Sequence, residues 1–136
     1  MTLERDVEKA CDDLAMQCGY LVKRLGQRRA SRVIEGLPDR RYLNLTLGVA
    51  FWFEVKAPAG QISREQYEFL ADELRCGCLG SCGGLEELIE LMRAVKRGHA
   101  FAFEEGMTQL EVWRFKGFRG ERKPKTGTIV PKRRAA

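Results

Sequence analysis

Histidine is nearly missing from these 136 residues, with His99 alone. A single imidazole excludes a histidine-based metal cluster and a two-histidine mechanism. No apolar run approaches the ~18 residues of a membrane span, and charge begins at Glu4, so neither a span nor a secretory leader is expected. The chain also lacks a phosphate-binding P-loop, which argues against a nucleotide cofactor and an ATP-driven machine. Its five cysteines are an odd number with no sign of secretion, so they read as reduced thiols in a cytoplasmic setting. Cys76, Cys78 and Cys82, with His99 later, fit no standard zinc spacing and read as small packing residues beside glycines.

What the chain does carry is a hydrophobic fraction of 44% and a net charge of +5. At this length that composition implies one globular domain with a real core. The charge is unevenly placed. Eight basic residues and one acidic residue lie from Lys116 onward, leaving 16 basic against 18 acidic before it. Residues 1–115 are therefore expected to form the folded domain, and 116–136 a basic, flexible tail poor in apolar side chains.

Helical spacing of Val7, Ala10, Cys11, Leu14, Ala15 and Cys18 predicts a first helix capped by Thr2 and ended by Gly19. Tyr20–Leu25 reads as a strand and Gly26–Glu35 as a polar loop. Tyr42–Leu47 and Val49–Lys56 read as antiparallel strands joined at Gly48. A second helix is expected from Ser63 to about Cys76, a strand over Cys78–Cys82, and a third helix from Leu85 to about Lys96. Ala100–Phe103 and Gln109–Phe115, around Glu104-Glu105-Gly106, read as a terminal β-hairpin. The fold class expected is α/β, a mixed sheet flanked by helices in the order αβββαβα, with that hairpin and the basic tail appended.

Everything is organised around Phe51-Trp52-Phe53-Glu54-Val55-Lys56-Ala57-Pro58. Strand alternation puts Trp52, Glu54 and Lys56 on one face and Phe51, Phe53 and Val55 on the other. A carboxylate and an ammonium in so apolar a stretch cost desolvation energy unless something pairs with them. Fifteen residues before Glu54, Gly36-Leu37-Pro38-Asp39 delivers a second acid through a tight turn. Taken alone, Glu-x-Lys on a strand reads more readily as an ordinary ion pair. Asp followed by Glu-x-Lys is, however, the arrangement of the PD-(D/E)xK nucleases.

The stretch Gly36–Gln66 resembles the virus-type replication-repair nuclease (VRR-NUC) family of that superfamily. It shows Gly-x-Pro-Asp, an apolar strand ending Glu-Val-Lys, a Pro/Gly turn, and a helix with an early glutamine. The likeness extends more loosely from Glu4 to Val95. It implies a restriction-endonuclease-like core and Mg²⁺- or Mn²⁺-dependent hydrolysis of phosphodiester bonds in DNA. By that resemblance Asp39 and Glu54, with the main-chain carbonyl of Val55, would hold the metal, and Lys56 would orient the attacking water. A further acid is expected on the first helix, where Glu4 and Glu8 both qualify. Glu8, eleven residues before Gly19, is preferred because that spacing resembles archaeal Holliday-junction resolvases. Gln66 would support Lys56 or a metal-bound water, yet Ser63-Arg64-Glu65-Gln66 also fits a capping box, and both duties together are not expected. Small stand-alone members of the family cut branched DNA as homodimers in bacteria or phage-infected cells, which implies the same partners here.

Lys23, Arg24, Arg28, Arg29, Arg32 and Arg40, joined by Arg41 and the tail, are candidates for phosphate contacts. A catalytically silent nucleic-acid-binding module with the same fold is the rival reading. The intact acid–acid–lysine set speaks for an enzyme, because clustered carboxylates cost stability when no metal fills them.

Overall fold

Val7, Cys11 and Ala15 recur every four residues and pin helix α1 (Glu4–Gln17) to the core. The structure, a computed structural model, describes residues 3–25 and 35–121. Thr2, expected as the cap of α1, lies outside the described residues. Strands β1 (Leu21–Arg24), β2 (Arg40–Asn44) and β3 (Val49–Val55) pair antiparallel in a meander. After helix α2 (Arg64–Arg75), strand β4 (Leu79–Gly83) adds parallel to β3, giving the sheet order β1-β2-β3-β4. Helices α3 (Leu85–Arg97) and α4 (His99–Phe115) complete the chain. The fold is α/β with an open, mixed sheet, and the αβββαβα order read from the sequence holds through α3.

Alternation along the strands divides the core in two. One sheet face presents Tyr42, Phe51, Phe53, Val55 and Leu79 to α1 and to Leu88, Leu91 and Val95 of α3. The other presents Trp52 and Cys82 to Leu70, Ala71 and Leu74 of α2 and to Leu110 and Trp113 of α4. Each fully buried Leu or Phe contributes about 1.5–3 kcal/mol of transfer free energy.

The expected terminal hairpin is corrected. Its two halves are one helix, α4, running through Glu104-Glu105-Gly106 without a turn. The helix carries apolar residues on every side. Ala102, Leu110 and Trp113 are buried, while Phe101, Met107, Val112 and Phe115 are exposed, so no 3.6-residue stripe marks it as helical. Gly106, which read as a turn residue, instead permits close approach. A Cβ there would stand 2.4 Å from the Gly80 carbonyl oxygen of β4. Gln109 completes the join by accepting a hydrogen bond from Ser81 Oγ and donating one to the Glu87 carbonyl. Helix α4 thus lies along β4, the strand at one end of the sheet.

The boundary expected at residue 115 also moves. Phe118 packs on Tyr67, the Arg119 amide donates to the Ile62 carbonyl at 2.8 Å, and Glu121 pairs with Arg64 at 2.7 Å. Lys116 Nζ donates to the Pro58 carbonyl at 2.8 Å. Aromatic packing, two hydrogen bonds to main-chain carbonyls and one ion pair thus join Lys116–Glu121 to the domain. Residues 122–136 of the expected tail lie outside the described residues, as do Arg28, Arg29 and Arg32.

A candidate acid–lysine site at the ends of β2 and β3

The Gly36-Leu37-Pro38-Asp39 turn is seated by a steric requirement. Gly36 has φ +80, and a Cβ on it would stand 2.2 Å from the carbonyl oxygen of Glu65 in the first turn of α2. Only glycine tolerates both the positive φ and that proximity. Pro38 then leads directly into β2. Because Arg40 pairs with Phe53 in the β2–β3 register, Asp39 arrives beside Glu54. The Asp39 amide donates to Glu54 Oε1 at 3.2 Å.

Glu54 is almost wholly buried, at 1% exposure, and Lys56 is buried to 2%. Their side chains point the same way, as strand alternation requires, with Lys56 Nζ 3.3 Å from Glu54 Oε2. Gln66 adds a third contact, its Nε2 donating to Glu54 Oε2 at 3.1 Å. The same amide also closes the capping box of α2. Gln66 Oε1 accepts from the Ser63 amide at 2.9 Å, and Ser63 Oγ accepts from the Gln66 amide at 3.0 Å. The cap therefore leaves the Gln66 amide nitrogen free for Glu54, which is its partner in place of Lys56. A primary amide has a donor end and an acceptor end, and the helix start sits where each finds its partner.

From the other side comes α1. The carboxylates of Glu4, Glu8 and Asp39 place ligand oxygens within 4.8 Å of one another, so both helix acids reach the region where one was expected. Among the described residues this is the group of three or more potential metal-ligating side chains that converges. Asp39 Oδ2 is buried with no hydrogen-bond partner. Val55, proposed only for its main-chain carbonyl, is the last residue of β3 with its side chain in the core.

Crowded acids away from water hold protons more tightly. Burial raises the Glu54 pKa well above the usual carboxylate value, the Asp39 charge adds to the rise, and Lys56 opposes it. Burial also raises Glu8, with Arg40 opposing and Asp39 adding.

Arg40 is corrected. Assigned from sequence to phosphate contacts, it is instead buried, its Nε 2.9 Å from Asp12 Oδ1 and its Nη2 3.1 Å from Glu8 Oε1. Its Nη1 donates to the Asp39 carbonyl at 3.1 Å. One guanidinium therefore ties α1 to the strand that carries Asp39, using the fork geometry that a lysine lacks. Asp12, missed in the sequence, is the hub of this network. It is buried, and it also accepts from Tyr42 Oη at 2.9 Å and Arg24 Nε at 3.1 Å. Its only sequence signal was position, since it lies four residues after Glu8 on the same helix. Arg24, likewise assigned to phosphates, keeps most of its side chain exposed but is paired to Asp12. Lys23 is exposed on β1.

Beside this site opens a cleft of about 480 Å³, lined by Val7 and Ala10 of α1, Lys56, the Gly84–Glu87 start of α3, Trp113 and Lys116. No helix among the described residues is long and apolar enough to cross a membrane. The chain matches no protein-family model, no curated protein and no solved structure.

Proposed function

We propose that the protein is a metal-dependent DNA endonuclease with a restriction-endonuclease-like core of the VRR-NUC kind. The observation that carries the reading is the meeting of Asp39, Glu54, Lys56 and Gln66 at one sheet end with the α1 acids beside them. These residues come from four separate elements. An ordinary cross-strand ion pair would need only Glu54 and Lys56.

The donor set suits a hard divalent cation, because carboxylate oxygens are what Mg²⁺ and Mn²⁺ prefer. The orphaned Asp39 Oδ2, beside the crowded carboxylates of Glu4 and Glu8, is what such an ion would satisfy. Glu8, Asp39, Glu54 and the Val55 carbonyl would hold it, with Glu4 within reach of the same region. A bound ion supplies Lewis acidity to a phosphodiester and lowers the pKa of its water. The protein's own groups do the rest. Lys56 stabilises negative charge developing on the phosphate and orients the water. Gln66 fixes the rotamer of Glu54, and Arg40 holds Glu8 and the Asp39 main chain in register.

DNA, branched in structure, is the proposed substrate, and a homodimer the proposed assembly, with a role in replication, repair or recombination. The near-complete burial of Glu54 and Lys56 favours a second reading, a nucleic-acid-binding module without activity. Labelled duplex, flap and four-way-junction DNA incubated with Mg²⁺, Mn²⁺ or EDTA separates the two. The nuclease reading expects metal-dependent cleavage that falls by orders of magnitude in Asp39→Ala, Glu54→Ala and Lys56→Ala. Binding with no cleavage under any metal would establish the silent module instead.

A further inference from the structure

Two pairs of basic residues face each other across β1 and β2, and the structure treats them differently. Arg24 lies opposite Arg40, and Lys23 lies opposite Arg41. Like charges directly opposed on an antiparallel ladder repel. On the α1 face the Arg24–Arg40 pair is neutralised by Asp12, with Glu8 assisting. Alternation turns Lys23 and Arg41 to the other face. There, among the described residues, neither has a carboxylate partner or a hydrogen-bond acceptor. Arg41 lies over the Trp52 ring with its guanidinium carbon 4.3 Å from the centroid, and its Nη1 is buried without a partner. The nearby acid Glu73 is engaged by the Trp52 indole at 2.7 Å.

The register makes these residues a row, Lys23–Arg41–Trp52, running across three strands. Over β1 and β2 this face stays open, with Leu21 and Lys23 exposed and Arg41 and Leu43 half-buried. Asp39 and Arg41 are two residues apart on the same side of the chain, about 7 Å at strand rise. The row therefore runs alongside the Asp39–Glu54 rung, two residues along each strand, and extends past Asp39 to the β1 edge of the sheet.

We propose that this row seats the phosphodiester backbone of the nucleic-acid strand entering or leaving the acid site, with Arg41 and Lys23 contacting successive phosphates. The charge selects the occupant, since two uncompensated cations on an open face call for an anion. Alignment with Asp39 selects a polyanion that continues into the site over a separate acidic protein surface. Trp52 keeps the guanidinium flat and pre-ordered, which reduces the conformational entropy lost on binding. The inference rests on the nuclease reading of the acid cluster.

The test is the salt dependence of binding by the full chain to fluorescent duplex and flap DNA, measured in EDTA and with Ca²⁺ in place of Mg²⁺. Lys23→Gln/Arg41→Gln is compared with wild type and with Arg75→Gln/Arg93→Gln, which removes the same charge from exposed sites on α2 and α3. Losing two phosphate contacts should make the log–log slope shallower by about 1.8, with the control double variant unchanged. Thermal midpoints check folding, the lost Lys23–Arg41 repulsion and the lost Arg41–Trp52 contact acting in opposite directions. Equal slopes for the two double variants would overturn the proposal. So would a change in solution mass of the row variant without a change in slope, which would assign the face to a protein partner. If wild type binds no nucleic acid, the row and the nuclease reading fail together. If the slope effect stands but no metal supports cleavage, only the nuclease reading fails.

Discussion

Gln66 Nε2 donates to Glu54 Oε2 at 3.1 Å while Gln66 Oε1 accepts from the Ser63 amide at 2.9 Å, so one side chain joins the start of α2 to the buried acid of β3. Gln66→Ala removes both contacts and leaves Glu54 with Lys56 and the Asp39 amide. We expect a loss of about 1.5–3 kcal/mol in stability and about 10–100-fold in metal affinity or activity. Gln66→Glu can keep the contact to Ser63 but sets a carboxylate against Glu54, so the metal-free protein should be less stable still while the added charge offsets part of the loss in metal affinity. Urea unfolding and metal titration of both variants check this, and metal affinity unchanged in both would remove Gln66 from the site.

Apo stability should fall as pH rises. Glu54 and Glu8 have folded-state pKa values above their unfolded values, chiefly through burial. The folded state then binds more protons than the unfolded state, and the slope of unfolding free energy with pH is negative. Their stabilising contribution is complete below the unfolded value near 4.5 and is lost as pH climbs through the raised values. Thermal melts in EDTA from pH 4 to 8 should show the decline, and Glu54→Gln should flatten it. A wild-type profile that parallels Glu54→Gln would contradict the burial argument.

Divalent metal should reverse that trend. An ion that binds only the folded state stabilises by about 2.7 kcal/mol when present at a hundred times its dissociation constant. Melting temperature should therefore rise with Mg²⁺ or Mn²⁺ at pH 8, and Asp39→Asn should abolish the rise. A wild-type midpoint indifferent to both ions would exclude a resident metal.

Arg40 is a structural cation. Arg40→Met leaves Asp12 buried with only Arg24 and Tyr42, so we expect a cost of about 3–5 kcal/mol. Arg40→Lys should recover part of it, since an ammonium can meet Asp12 but cannot also fork to Glu8 and the Asp39 carbonyl. Chemical denaturation measures both. A stable Arg40→Met protein with weakened DNA binding would return Arg40 to the phosphate contacts first expected of it.

Helix α4 offers a surface for the proposed homodimer. Phe101 and Phe115 are both exposed and lie seven residues to either side of Thr108. An antiparallel two-fold contact centred on Thr108 would bring Phe101 of one copy onto Phe115 of the other. Phe115→Glu should shift the mass seen by light scattering from dimer to monomer at micromolar concentration. A wild-type monomer, or a dimer untouched by this change, would remove α4 from the assembly.

Much of the site was legible because its rules are local. Glycine before Pro-Asp, alternation along Glu54-Val55-Lys56, and the Ser63–Gln66 cap each depend on neighbours within a few residues. Helix α4 was misread for the same reason. With apolar residues on both its buried and exposed sides it has no helical stripe, and its glycine serves a contact with β4, 26 residues earlier.

Sequence by itself determined the order of elements from α1 through α3 and the shared direction of Glu54 and Lys56, while the β2–β3 register placed Asp39 beside Glu54. Tertiary structure alone decided which of Arg40 and Arg41 turns inward to Asp12 and which lies open on Trp52. It also decided that Glu4 and Glu8 both reach Asp39, and that one glutamine serves a helix cap and an acid together. The physical reason is that a strand's alternation states only that neighbours face apart. Which side is occupied by a carboxylate from another element is settled when the helices pack.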